Sequence, residues 1–195
     1  FKTTATVMYG HVEKHEHLAR HLLRVRTLQA KTGGFTEFVP LPFVHMATPL
    51  YLQKKARRGP TFRETMLMHA IPRIAYRGLI DNIQASWVKL GANGSRQALQ
   101  AGANDLGGTL MDENISRAAG ADHGQGMEPS DFAELVAPIG RNAVQRTTLY
   151  GRASAERVAA ADRAADEEDA EAPSSALSAR SAAWAFSWPC SAPCR

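Results

Sequence analysis

Histidines, carboxylates and two cysteines are the groups that could do chemistry in this sequence, and their spacing already sorts them. His15 followed by Glu16 opens like a zinc-protease helix, but that motif needs its second histidine three residues after the glutamate. Here His17 and His21 follow Glu16 at one and five residues, so with His15 they read as a solvated helix face rather than a ligand set. His11 stands apart, directly after Tyr9 and Gly10. Cys190 and Cys194 have no third cysteine to join them and cannot complete a thiolate site alone. The glycine turns Gly91–Ser95 and Leu106–Thr109 lack both the P-loop ending and the three-glycine dinucleotide spacing; tight turns explain them. A further set of polar residues follows or lies within short β-like runs: His11 and Glu13; Glu37 and His45; Gln84, Ser86, Trp87 and Lys89; Thr109, Asp112 and Glu113. In a barrel of parallel strands the chemistry gathers at the C-terminal strand ends, and an unpaired buried polar group there costs about 1–3 kcal/mol. A polar small-molecule pocket and plain loop polarity both fit these positions.

The elements that must carry them alternate in type. Thr4–Gly10 is a β-branched, apolar run closed by glycine. Glu13–Lys31 follows as a helix, with Leu18, Leu22, Val25 and Leu28 at helical spacing before Gly33 and Gly34. Phe35–Val39 reads as a strand ended by Pro40 and Pro42. Thr61 caps a helix with Glu64 three residues on, and Pro72 kinks it before Gly78. A strand within Ile80–Leu90, a helix over Gly94–Ala101 and a strand over Leu106–Met111 repeat the cycle. Pro129 opens a helix running to Val136 behind Glu128, and Val144–Leu149 is a final strand. Strands alternating with helices predict an α/β protein with a parallel sheet and outer helices. A whole barrel takes ~250 residues, so residues 1–152 are expected to be part of one, opening in mid-fold.

Composition narrows the class. At 195 residues, 44% hydrophobic and 22% charged, the chain can bury a core, and it has no run near the ~20 apolar residues of a membrane span. With no secretion signal at Phe1 and no cysteine framework, a cytoplasmic location is expected, without a membrane partner. Residues 1–152 carry 19 basic and 12 acidic side chains. That excess, spread over the whole body, reads as a solvated surface and not as a nucleic-acid interface. Residues 153–195 differ in kind: 15 of 43 are alanine, beside the cluster Asp166–Asp169. This composition predicts a disordered or out-of-frame tail, with a helical stretch at Ala159–Ala165.

Four strings, Thr4–Glu13 (TATVMYGHVE), Gly34–Phe43 (GFTEFVPLPF), Asn82–Leu90 (NIQASWVKL) and Gly102–Gln125 (GANDLGGTLMDENISRAAGADHGQ), resemble the radical S-adenosylmethionine enzymes that build deazaflavin and menaquinone precursors. GGTLM followed by ISRAAGA and HGQ is most similar to the tyrosine-using half of FO synthase, over about residues 1–157. The resemblance implies the C-terminal part of a radical S-adenosylmethionine (β/α) barrel, with parallel strands and outer helices. It implies a 4Fe-4S cluster that cleaves S-adenosylmethionine, and transfer of the hydroxybenzyl group of tyrosine to 5-amino-6-(D-ribitylamino)uracil. The implied partners are these two substrates, the remainder of the barrel and the ammonia-eliminating half of FO synthase. On this reading His11 is a cofactor-binding candidate, and Glu13, Glu37, Gln84, Ser86, Trp87, Lys89, Thr109 and Glu113 are substrate-binding candidates. The glutamates would receive hydroxyls or amino groups, Lys89 a carboxylate and Trp87 a flat ring. The family's CxxxCxxC loop is absent from the sequence, so these residues alone are expected to hold no cluster and to catalyse nothing. A menaquinone-pathway relative and a non-catalytic barrel remnant that binds ligand are the alternatives.

Overall fold

The computed structural model describes residues 1–109, 114–121, 126–171 and 185–187. Two β/α units open the chain. Strand β1 (Thr3–Tyr9) leads to helix α1 (His15–Thr32), and β2 (Phe35–Pro42) follows, paired in parallel with β1. Helix α1 is closed by Gly33 at φ 56°, whose N–H donates to Gln29 O at 2.8 Å, the left-handed cap that glycine permits. Gln29 itself is buried and joins three elements: its amide donates to Phe35 O and Leu79 O and accepts from Phe35 N–H.

Beyond β2, the short helix α2 (Pro49–Leu52) precedes α3 (Phe62–Ala75). Thr61 and Glu64 form the expected capping box there, with Thr61 Oγ1 accepting from Glu64 N–H and Glu64 accepting from Thr61 N–H. Helix α4 (Trp87–Ala101), β3 (Asp105–Gly107), α5 (Ile115–Ala118) and α6 (Pro129–Val136) complete the body. A 3₁₀ turn (Ala137–Ile139), β4 (Gln145–Arg146), α7 (Ala155–Glu171) and β5 (Ala185–Ser187) follow. No helix among the described residues is long and apolar enough to cross a membrane.

The parallel order extends past β2. Bridges Phe38 to Ile83 and Gln84 to Asp105 carry it across to β3, while β5 pairs antiparallel with both β3 and β4. The chain is thus mixed α/β with a small parallel sheet, as expected in class. Several boundaries differ from expectation, among them that of β3, which ends at Gly107. Strand β2 runs through its prolines to Pro42, because their side of the ladder needs no donors. Phe38 N–H donates to Asn82 O and Phe38 O accepts from Gln84 N–H, and Pro40 and Pro42 share that side beyond the bridge; Phe43 N–H donates to Tyr9 O on the other side. The strand expected within Ile80–Leu90 shrinks to the bridges at Ile83 and Gln84. Ser86 O accepts from the N–H groups of Lys89 and Leu90, so the chain turns into α4 at Trp87 and breaks its helical φ/ψ only at Gly91. The expected strand at Val144–Leu149 is reduced to Gln145 and Arg146. Helix α7 is longer than the alanine pattern suggested, in line with alanine's high helix propensity.

One face of the sheet is packed against helices; the other is open at β1 but not at β2, where Val39 is buried and Glu37 and Leu41 are half-buried. Ala5, Phe38 and Ile83 meet Leu22 and Val25 of α1, together with Tyr76 and Ile80, in one cluster. A second cluster joins Trp87, Val88, Ala98 and Leu99 of α4 to Leu106 and to Phe132, Leu135 and Val136. Each large side chain so buried contributes about 1.5–3 kcal/mol. Thr4, Thr6 and Met8, which alternate with Ala5 and Val7 on β1, are exposed. Parallel sheets are ordinarily covered on both faces; at β1 this one is covered on one.

Candidate functional site

At the C-terminal end of β1 the chain turns at Gly10 (φ 94°), and the carboxylate of Glu13 folds back to hold the turn. It accepts from Gly10 N–H at 2.5 Å, His11 N–H at 2.9 Å and His11 Nδ1–H at 2.6 Å. Arg57 spans Glu13 at 3.3 Å and Glu64 at 2.9 Å, and its own N–H donates to His11 O. The loop after β1 is thereby tied to the long connection before α3 and to the cap of α3. Burial alone would raise the Glu13 carboxyl, but the donors at Gly10 and His11 outweigh it and hold it at about 2. Glu64 is also held at about 2, chiefly by the hydrogen bond from Arg57.

Gly10 serves this turn in two ways: a methyl there would overlap the Pro60 ring, and its φ is one that side chains rarely adopt. Gly10→Ala is expected to lower stability by more than the ~1–2 kcal/mol of left-handed strain. Gly33→Ala, where nothing lies within 4 Å of the added methyl, should show the strain alone. Urea unfolding of the two variants compares them; equal losses would mean that the Pro60 contact is unimportant.

The C-terminal end of β2 opens into a cavity of about 290 Å³. Phe43 and Met46 from the strand end, Phe62 and Met66 from α3, and Leu90 from α4 form apolar walls, while His45, Arg58 and Lys89 are its basic groups. Lys89 Nζ donates to Ser116 Oγ at 2.8 Å, and the His45 ring meets Tyr51 edge-on at 4.6 Å. His11 sits beside this region, its ring 5.7 Å from that of Phe43. Another depression, about 310 Å³, lies on the outside of α1 among Leu23, Thr27 and Leu28, away from the strand ends.

Glu37 belongs to neither place. With β2 extended to Pro42, it is the third residue of the strand, near the N-terminal end of the sheet, and not a strand-end residue as the sequence suggested. There it accepts from Thr4 Oγ1 at 2.7 Å and from the Tyr150 hydroxyl, and lies 3.6 Å from Arg146. Arg146 Nε donates to Asp105 at 2.6 Å, its guanidinium lies 3.7 Å from the centre of the Tyr150 ring, and Asp105 also accepts from Gly107 N–H. Burial pushes the Asp105 carboxyl up while Arg146 opposes it; burial likewise pushes the Tyr150 phenol far up, and Asp105 and Glu37 add to that. Sequence reading missed Asp105, Arg146 and Tyr150. Strand patterning singles out apolar positions, and nothing in a one-dimensional string marks an arginine 41 residues from the carboxylate it pairs with.

The remaining candidates line the third strand position. Gln84 lies against Gly107, where any side chain would run into its amide, and Ser86 is buried just before α4. Trp87 is 3% exposed, donates from Nε1 to Gly108 O at 3.0 Å and meets Phe132 edge-on, so its ring is part of the core. Thr109 is half-buried beyond β3. Glu113, with Asp112, lies outside the described residues, as do Cys190 and Cys194. His15 and His17 are exposed near the start of α1, and burial lowers the pKa of His21. The structure therefore brings His11 and Glu13 together, sets Lys89 in the cavity, and places Glu37 elsewhere.

An α/β protein with a parallel sheet, a first strand bare on one face and a cavity at the C-terminal strand ends is the class these features define. A family model described as the CofH/MqnC C-terminal region matches residues 32–151, and the chain belongs to that family. It is 55% identical over 151 residues to FO synthase of Nocardia farcinica, covering 77% of this chain and 18% of that protein. It is also similar to two proteins named 5-amino-6-(D-ribitylamino)uracil--L-tyrosine 4-hydroxyphenyl transferase. The Methanothermobacter thermautotrophicus protein is 52% identical over 76% of this chain and 40% of its own length. For the Methanocaldococcus jannaschii protein the figures are 49%, 76% and 41%. The chain thus spans less than half the length of these relatives. Two cysteines are too few for a three-thiolate cluster loop, and among the described residues no three His, Cys, Asp or Glu side chains could together hold a metal. The residues of this chain do not fit a 4Fe-4S cluster.

Proposed function

We propose that this chain is the C-terminal, substrate-side portion of a radical S-adenosylmethionine (β/α) barrel that transfers the hydroxybenzyl group of tyrosine to 5-amino-6-(D-ribitylamino)uracil in deazaflavin coenzyme synthesis. The observation that carries it is the strand β1, bare on one face, beside a cavity at the C-terminal strand ends, in a chain about half identical to enzymes named for that reaction. A barrel needs strands on both sides of β1, and the exposed Thr4, Thr6 and Met8 suit the lumen of one. On this reading the cluster and S-adenosylmethionine are held by other parts of the longer protein, while residues here bind, orient and exclude water. His11 would face the cofactor side, and Gln84, Ser86, Lys89, Thr109 and Glu113 would supply the substrate side. Glu13 and Glu37, already saturated by partners within the chain, act by positioning the loop after β1 and the base of the sheet.

The relatives named FO synthase, of which the chain covers so small a share, fit fusion to the ammonia-eliminating half, and a cytoplasmic location goes with this reading. The family description also spans menaquinone-pathway proteins, but the relatives at 49–55% identity favour the deazaflavin reaction. The test is an anaerobic assay of the full-length protein with S-adenosylmethionine, a reductant, tyrosine and the diaminouracil. Consumption of the diaminouracil together with tyrosine is expected. Turnover that leaves the diaminouracil untouched would assign the protein to another reaction.

A further inference from the structure

We infer that the outer face of α1 and α3 seats the additional half found in the longer relatives named FO synthase, docked through an apolar surface rimmed with carboxylates; this rests on the fusion in the transferase reading above and deepens it. The pattern of α3 is inverted. Its buried side includes the polar Thr65 and His69, while Leu67, Ile71 and Ile74, at i, i+4 and i+7, are 42%, 45% and 77% exposed. An apolar stripe of this spacing ordinarily faces a packing partner. Helix α1 continues the face. Arg26 Nε donates to Ala75 O at 3.0 Å, which holds the two helices side by side, and Leu23 and Ile71 each lie one turn before that link. The depression of about 310 Å³ on the outside of α1 has the exposed Leu23 and Leu28 as its bed. Contiguous apolar surface of this kind marks an interaction site.

Charge selects the occupant. Arg24 and Lys31 line the depression, Arg20 lies one turn before Arg24, and Arg63 one turn before Leu67; all four are exposed. None of them pairs with a carboxylate among the described residues. The two helices carry two carboxylates: Glu16, in the first turn of α1, and Glu64, which Arg57 engages. A second copy docked about a two-fold axis would set these cations against themselves, so the face calls for carboxylates from a different surface. The same stretch makes up 18% of Nocardia farcinica FO synthase and 40% of the Methanothermobacter thermautotrophicus transferase, so the former is more than twice as long. Its added half needs a seat that leaves the strand ends open to substrate, and the helix side, away from the cavity, provides one.

Carbodiimide coupling of the intact full-length protein, which joins an amine directly to a carboxylate, followed by mass-spectrometric mapping, tests this without turnover. Lys31 is expected to couple to an aspartate or glutamate of the added half. A linker raises the effective concentration of the two halves, so the contact is challenged with two charges at once. Ile71→Glu combined with Ile74→Glu is expected to cut the coupling about tenfold. Should that variant fail to fold, Arg24→Glu, which leaves the stripe intact, is expected to cut it about threefold. Lys31 coupled to an earlier part of its own half, coupled to a second copy or left uncoupled overturns the assignment, as does unchanged coupling in the folded variants. A full-length protein without an added half overturns it too, and leaves the transferase reading standing. A failed diaminouracil assay beside the expected coupling removes the transferase reading alone.

Discussion

Arg146→Met is expected to destabilise the chain by about 3–5 kcal/mol, the usual loss when one partner is taken from a buried ion pair. The guanidinium lies against Asp105, which is fully buried, and Glu37, which is half-buried, and it also covers the Tyr150 ring. Without it, two carboxylates and a phenol face one another at the base of the sheet. The sign of the pH dependence follows. Burial already raises the Asp105 carboxyl against the pull of Arg146, so removing Arg146 raises it further. A carboxyl raised in the folded state opposes folding while ionised, and protonation relieves it. The deficit of the variant should therefore be largest near neutral pH and shrink on acidification. Urea unfolding of wild type and variant at several pH values measures this, and adding Asp105→Asn should return part of the loss. A deficit under about 1 kcal/mol at pH 7 would show the pair to be ornamental, as exposed pairs often are.

Glu13→Ala should have the next largest effect, about 2–4 kcal/mol, since its carboxylate takes charge-assisted hydrogen bonds from two backbone N–H groups and an imidazole. Here the carboxyl is lowered in the folded state, from 4.5 to about 2. Its contribution is thus fully present above about pH 5 and is lost as the pH falls toward 2; this deficit too shrinks on acidification, though here because a stabilising carboxylate is lost and not because a destabilising one is relieved. The gap between wild type and Glu13→Ala should close over that interval in the same unfolding measurement. A gap that stays constant down to pH 2 would mean that the carboxylate's charge does not hold the loop. The variant should also loosen Arg57, leaving Glu64 to retain it alone.

Much of the fold was legible in the sequence because local signals and packing agree. Thr61 with Glu64, Pro129 behind Glu128, and Gly33 after the Leu22 and Val25 stripe all sit where cap chemistry placed them. Prolines misled where the ladder had a donor-free side, as at Pro40 and Pro42, and the run Ile80–Leu90 misled because apolar residues that pack a helix start look like those that pack a strand. For the site, His11, Glu13 and Lys89 were found at strand ends or close after them. The cavity walls were not, since Phe62 and Met66 come from a helix and meet Phe43 only in three dimensions. The base network escaped entirely: its members lie on β2, β3, β4 and the turn at Tyr150, and charge pairing across such separations has no period.

The uncovered side of β1 bears on how the longer protein would be made. Among the described residues β1 has a sheet neighbour on one side only, so its other edge offers free donors and acceptors. Any barrel strands encoded earlier leave the ribosome before β1 exists to meet them. They must wait, with their own edges open, until the last part of the chain emerges, and parallel pairing across that distance is slow. On the proposed barrel reading, the nascent half-barrel, more than the finished protein, is then the species that a chaperone must shield.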